Sequence, residues 1–427
     1  MNNYITPLLL AALLSVPCAA APFTPKSYIK AALDASFAMR KAEQALMQAD
    51  NTYKTALMDA LLPSFTLSMS DTLYSDTHPA LRLDKHEVES GLSAAWNLYD
   101  SASGPLHKLK TAKLDYKYAV LTHLIAKQNE AVRALNRFYS LYSAQRRIGT
   151  AKMNLASRER QYKDTNEQFQ SGTRSKTEVT QSEGDKLESE LSLARAETAE
   201  SKALMAFNEL INAEPEAAQA VEISTQSADI KLPLPKEDVA AALENNFSLR
   251  QQRLSLEKTR RANRSGVFSN YPRLKVDAAW RKTVLGLNGG SPGIDPSYSL
   301  GASLNFPFGF LGAQNYLEVE SLRADLTSAE LEIENSARAL KTSVLSAQKD
   351  IELQVKSRQM LEFQVKALSE TTDNLLEEYS LGGASFLQMD SSQTKLLDSS
   401  NSQITSTNDL DLALANYKVL MGMKIWE

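Results

Sequence analysis

Residues 314–382 read QNYLEVESLRADLTSAELEIENSARALKTSVLSAQKDIELQVKSRQMLEFQVKALSETTDNLLEEYSLG, with no glycine or proline from Gln314 to Leu381. A stretch without a breaker predicts one helix of about 67 residues, ~100 Å long at 1.5 Å per residue. No compact domain is that thick, so such a helix must lie in a bundle or tube of similar helices. The apolar pattern agrees. Leu326, Ile333, Leu340, Ala347, Gln354, Leu361, Leu368 and Leu375 fall every seventh residue, all apolar except Gln354. Ala337, Val344, Ile351, Val365 and Tyr379 form a second seam four residues further on. Gly382 can adopt the left-handed turn that ends a helix. A further helix is predicted from about 385 to 424.

The same order of features stands 210 residues upstream. Leu106 to Ile148 lacks glycine and proline, and Leu114, Tyr118, Leu121, Ile125, Val132, Leu135, Phe138 and Tyr142 make the matching stripe. Phe169-Gln-Ser-Gly172 answers Tyr379-Ser-Leu-Gly382, and a second helix is predicted over 175–213. Ala31-Ala32-Leu33, Phe37 and Arg40 recur as Ala241-Ala242-Leu243, Phe247 and Arg250. Gly91 with Trp96 becomes Gly301 with Phe306, and Phe207 with Leu210 becomes Tyr417 with Leu420. Agreement at one offset in four separated places marks a duplication. The units are residues 21–214 and 237–427, joined by a connector over 215–236.

Each unit opens with a helical stretch, 25–61 or 237–268, that a proline (Pro63, Pro272) brings to an end. Alternation of period two then predicts strands. Phe65, Leu67 and Met69 alternate with Thr66, Ser68 and Ser70; Val88, Leu92, Ala94, Trp96 and Leu98 alternate with Glu87, Glu89, Ser93 and Asn97. Leu274, Val276, Ala278 and Trp280 alternate with Lys275, Asp277 and Arg281, and Leu300, Ala302, Leu304, Phe306 and Phe308 with Ser299, Ser303 and Asn305. Turn residues join the pairs at Asp76-Thr-His-Pro79 and Asn288-Gly-Gly-Ser-Pro-Gly293. Four strands cannot close a barrel, for which about eight is the minimum, whereas three copies supply twelve. In such a barrel Val88, Leu92, Trp96, Val276, Trp280, Leu300, Leu304 and Phe306 meet lipid, and the Glu, Ser, Lys, Asp and Asn face lines water.

Composition narrows the function. The 427 residues carry 47 Lys+Arg against 51 Asp+Glu, a net charge of −4, without the basic excess of a nucleic-acid binder. Glycine and proline total only 30 residues, which fits long unbroken elements. Four histidines and one cysteine show no helical metal-site spacing, so no metal or cofactor is expected. Gly289-Gly-Ser-Pro-Gly293 matches G-x-S-x-G literally. It joins two strands rather than a strand and a helix, so no catalytic residue and no enzyme is expected. The apolar run Ile5–Val16 followed by Cys18-Ala19-Ala20-Ala21 reads as a signal peptide cut after Ala20, with a lipid-modified Cys18 as the rival reading. No later run of 18 apolar residues exists, so any membrane crossing uses strands.

The two Phe/Tyr-x-x-Gly turns, Gly172-Thr-Arg-Ser-Lys-Thr-Glu-Val, Asn416-Tyr-Lys-Val-Leu-Met-Gly422 and the strand ends Ala95-Trp-Asn-Leu-Tyr-Asp100 and Asn305-Phe-Pro-Phe-Gly309 together resemble the outer-membrane efflux protein family, the TolC-like channels. The resemblance covers the whole chain after the signal peptide. It implies a mixed α/β membrane protein: a homotrimeric twelve-stranded outer-membrane barrel continuous with a twelve-helix periplasmic tunnel. It further implies an exit channel for a tripartite efflux pump or type I secretion system, with a periplasmic adaptor and an inner-membrane transporter as partners. The tip residues Gly172, Thr173, Arg174 and Ser175, with Gly382, Gly383, Ala384 and Ser385, then form the surface an adaptor grips. Glu178 and Tyr379 lie at similar height near the aperture, where a hydrogen bond from the tyrosine to the carboxylate is expected. At the positions where some relatives place an acidic ring, this chain has Gln388 and Ser391, with Asp390 turned about 100° away. The alternative is an exported periplasmic coiled-coil scaffold or adaptor that forms no channel. The sequence does not name the cargo.

Overall fold

The computed structural model describes residues 22–74, 85–99, 104–222, 235–267, 273–287, 296–306 and 313–426. The expected signal peptide, residues 1–20 with Cys18, the turns expected at 76–79 and 288–293, Pro272, Phe308 and residues 223–234 of the connector lie outside these. The first half runs α1 (Pro25–Ala35), α2 (Phe37–Leu61), β1 (Ser64–Tyr74), β2 (Lys85–Tyr99), α3 (Pro105–Gln170) and α4 (Lys176–Leu210). The second repeats that order as α5 (Pro235–Asn245), α6 (Phe247–Val267), β3 (Arg273–Leu287), β4 (Ser297–Asn305), α7 (Ala313–Ser380) and α8 (Phe386–Leu420).

The long helices α3 and α7 have 66 and 68 residues. None of the eight heptad positions on α7 is exposed, and Val344, Ile351 and Tyr379 of the second seam are buried. Helix α3 packs along α4 and α7 along α8, and α3 also lies against α8, which joins the two hairpins. No described helix is long and apolar enough to cross a membrane.

Four helix ends close in one way. At Gly172 (φ 81) the Gly172 amide donates to Phe169 O and the Thr173 amide to Gln168 O. Gly382, Gly422 and Asn212 repeat this pair of bonds, all at positive φ. Asn212 and Gly422 are 210 residues apart. A Cβ on Gly422 would lie 2.3 Å from Asn245 O, whereas the Asn212 side chain finds room and donates to Ala35 O at 2.8 Å.

One expectation is corrected. The helical stretches 25–61 and 237–268 are each two helices, broken at Ser36 and Asn246. Ser36 adopts an extended backbone, its Oγ accepts from the Ala38 and Met39 amides, and its hydroxyl donates to Glu130 at 2.8 Å. Asn246 Oδ1 accepts from the Leu249 amide at 3.0 Å, and its amide group donates to Leu420 O at 3.0 Å. The breaks let α1 pack on α3 and α5 on α7.

The duplicated core has kept its positions and changed its chemistry. In the first half Tyr28 stacks on Phe207 with ring centres 3.8 Å apart, beside Phe138. The residues 210 further on are Asp238, Tyr417 and Gln348, all buried. The Tyr417 hydroxyl and Gln348 Nε2 both donate to Asp238 Oδ2, the latter at 2.6 Å. Burial first, and Asp238 next, push the Tyr417 hydroxyl up to about 12. Two donors satisfy this buried carboxylate.

Candidate functional site

The four strands form one antiparallel sheet in the order β1-β2-β3-β4. Register sorts its side chains into two faces. Leu67, Leu92, Trp280 and Tyr298 form one cross-strand row, and Phe65, Ala94, Ala278 and Leu300 the next. Trp96 then stands opposite Val276, and Leu274 opposite Leu304. This face is bare: Leu300 is 83% exposed, Leu67 80%, Tyr298 78% and Met69 76%. Leu92, Trp96 and Leu304 are exposed, and Phe306, just past the end of β4, is exposed too; Val88, Val276 and Trp280 are half-buried. Asp71 and Lys282 mark where the apolar band stops at the end near the turns. The opposite face carries Ser68, Gly91, Arg281 and Ser297 in one row, and Asn97, Lys275 and Ser303 in another. Among the described residues, β1 and β4 have no strand beyond them.

The other end of the molecule is the pair of helix turns. Gly172, Thr173 and Ser175, with Gly382, Gly383 and Ser385, are exposed. Two tip residues depart from the expected surface. Ala384 is buried against Tyr379, Phe386 and Met389, because the helix start folds it inward over the last turn of α7. Arg174 is half-covered because its guanidinium lies over the Tyr379 ring, 4.3 Å from the centroid. It also donates to Gln168 Oε1 at 3.0 Å and Tyr379 O at 3.4 Å, and pairs with Glu178 at 3.6 Å. Arg174 thus fastens one turn to the other. Leu381 and Leu387, 81% and 71% exposed, flank the second turn and were not singled out from the sequence.

The expected bond from Tyr379 to Glu178 is not formed. The tyrosine ring is buried and its hydroxyl meets Thr165 Oγ1 at 3.1 Å, across the interface between the hairpins. Glu178 is occupied locally: its carboxylate accepts from the Ser175 amide at 3.2 Å while Ser175 caps α4. Gln388 plays the same part for Ser385 at the start of α8. Ser391 is half-buried. Asp390 turns to α3, where Arg158 Nη1 donates to it at 2.6 Å.

Arg158 is a further residue at this end that the sequence pattern alone does not single out. Its side chain is 8% exposed and holds Asp390 of α8 at 2.6 Å and Asp185 of α4 at 3.6 Å, with Gln161 and Thr394 as further partners. Desolvation raises the Asp185 carboxyl above the usual range, Arg158 opposes this, and Asp390 and Glu188 add to it. A signal existed. Ala144, Ala151, Arg158 and Thr165 are buried at seven-residue spacing, so a cation stands on a seam.

Residues 28–213 match the sequence model of the family described as outer membrane efflux protein. No curated protein is a sequence match. Among solved structures, the outer-membrane channel OprN superimposes with a TM-score of 0.80 at 15% identity, over 94% of this chain and 91% of that one. The outer membrane protein VceC from Vibrio cholerae gives 0.80 at 14% identity, over 95% and 100%. The open state of the Neisseria gonorrhoeae MtrE outer membrane channel gives 0.78 at 16%, over 94% and 89%. At these identities the superpositions establish the fold, which all but a few per cent of the chain shares. The family is one of outer-membrane transport proteins, not of enzymes. Over residues 28–213 the chain matches the outer membrane efflux protein model, and over nearly its whole length it has the fold of these outer-membrane channels.

Proposed function

We propose that three copies of this chain close a twelve-stranded barrel in the outer membrane, and that their helices form the periplasmic tunnel of an exit channel. The observation that carries this is the sheet, with one continuous apolar face bared and both edges open. Each large apolar side chain left in water forfeits about 1.5–3 kcal/mol. Strand edges in lipid leave backbone groups unpaired at several kcal/mol each, and only closure satisfies them. Four strands are too few to close alone. Lipid on the apolar side and water on the polar side satisfy both faces.

The tip then points into the periplasm, where Gly172, Thr173, Ser175, Gly382, Gly383 and Ser385, together with Leu381 and Leu387, form the surface for a periplasmic adaptor. An inner-membrane transporter, of the efflux-pump or type I secretion kind, supplies the cargo and the energy. The channel conducts passively. The test is purified protein added to planar lipid bilayers: discrete, long-lived conductance steps are expected, and protein that inserts without conducting, or stays in the aqueous phase, refutes the reading.

A further inference from the structure

Gly91 and Gly301 sit in mid-strand, 210 residues apart, each at the same point of its repeat. A mid-strand glycine packs nothing and weakens the strand, so it marks a close approach. Neither has positive φ, so the reason is not backbone freedom. Both face charged side chains of β3. A Cβ on Gly91 would lie 3.1 Å from Ser68 Oγ, 3.4 Å from Trp280 O and 3.5 Å from Arg281 Cγ. A Cβ on Gly301 would lie 3.1 Å from Asp277 Oδ2. The two glycines are seats: the stem of Arg281 and the carboxylate of Asp277 lie along the sheet instead of standing off it.

We propose that Arg281 and Asp277, laid against the wall over Gly91 and Gly301, set the ion preference and keep the bore of the barrel wide. This rests on reading the polar face as the lining of a channel. The described polar face carries the cations Arg273, Lys275 and Arg281 against the carboxylates Asp277 and Glu89. Arg281 lies about 13 Å along the strand from Asp277 and about 7 Å from the row of Glu89, by the strand rise. Threefold repetition makes each of these a ring. The Arg281 ring, between two carboxylate rings and backed by a low-dielectric wall, is the positive station of the path.

The test is the reversal potential of single channels in a KCl gradient. Arg281→Glu raises the K⁺ to Cl⁻ permeability ratio by about threefold or more, Arg281→Gln falls between it and the parent, and Asp277→Asn shifts the ratio the other way. Lys282→Glu, the neighbouring residue on the apolar face, leaves the ratio unchanged. Gly91→Val lifts Arg281 off the wall and lowers conductance. Conducting Arg281→Glu or Arg281→Gln channels with the parent's ratio, or an equal shift in Lys282→Glu, overturn the inference while the channel reading stands. A parent protein that forms no channel brings down the channel reading itself.

Discussion

Replacing Arg158 by methionine removes the cation that bridges Asp185 and Asp390 and leaves the two carboxylates facing each other. Removing one partner of a buried pair costs about 3–5 kcal/mol. The carboxylates keep 24% and 26% side-chain exposure, so water takes part of the load and the lower end, about 3 kcal/mol, applies. At about 1.4 kcal/mol per factor of ten, local opening at the node becomes roughly 100-fold more frequent. Hydrogen exchange at pH 7 reads this directly. Amides in 155–165 and 387–397 exchange about 100-fold faster, whereas those near Phe138 and Phe207 keep the parent's rate. Arg158→Met combined with Asp390→Leu recovers most of the protection, because the α8 carboxylate that Arg158 held is then gone as well. Unchanged exchange in Arg158→Met, or no recovery in the double variant, refutes the reasoning. The pH dependence follows from Asp185. Its carboxyl is raised in the folded chain, so the proton-linked stability is complete below the ordinary carboxylate range and is lost as pH rises through the raised value. Asp185→Asn therefore leaves exchange unchanged or slower at pH 7, and the node's stabilisation on mild acidification disappears in that variant.

Leu304→Arg costs about 2–4 kcal/mol in barrel stability if the residue lies near the bilayer midplane, and Ser303→Arg little, measured by urea unfolding in lipid vesicles; equal effects contradict the assignment of faces. Gly422→Ala drives a Cβ into the Asn245 carbonyl at positive φ, so it lowers the thermal midpoint, whereas Asn212→Gly, its counterpart in the first half, has a smaller effect. Tyr379→Phe costs only about 0.5–1.5 kcal/mol, since Thr165 still donates to Gln161 O, while Arg174→Ala loosens both turns and raises single-channel open probability more than Tyr379→Phe does.

Much of this architecture is written locally and so could be read from the chain. A helix without glycine or proline, a heptad of leucines and a 210-residue offset each need only neighbours along the sequence. The breaks at Ser36 and Asn246 were harder, because neither residue forbids a helix. Yet both are capping residues followed by phenylalanine at the same point of each repeat, and that signal was present. The partners of Tyr379 were not legible, since they depend on how one hairpin is staggered against the other, which Thr165 and Arg174 fix from outside α7. Ala384 shows the same limit: a small residue in a turn looks exposed until the apolar contacts of Phe386 and Met389 are known.

The central claim is that the four strands of one chain are a third of a barrel. The mass of the detergent-extracted particle, taken together with its strand content by circular dichroism, tests it most directly. The account predicts a particle of three chains that keeps its strand signal, and loss of that signal when the three are driven apart. A monodisperse single chain with its strand signal intact would contradict it.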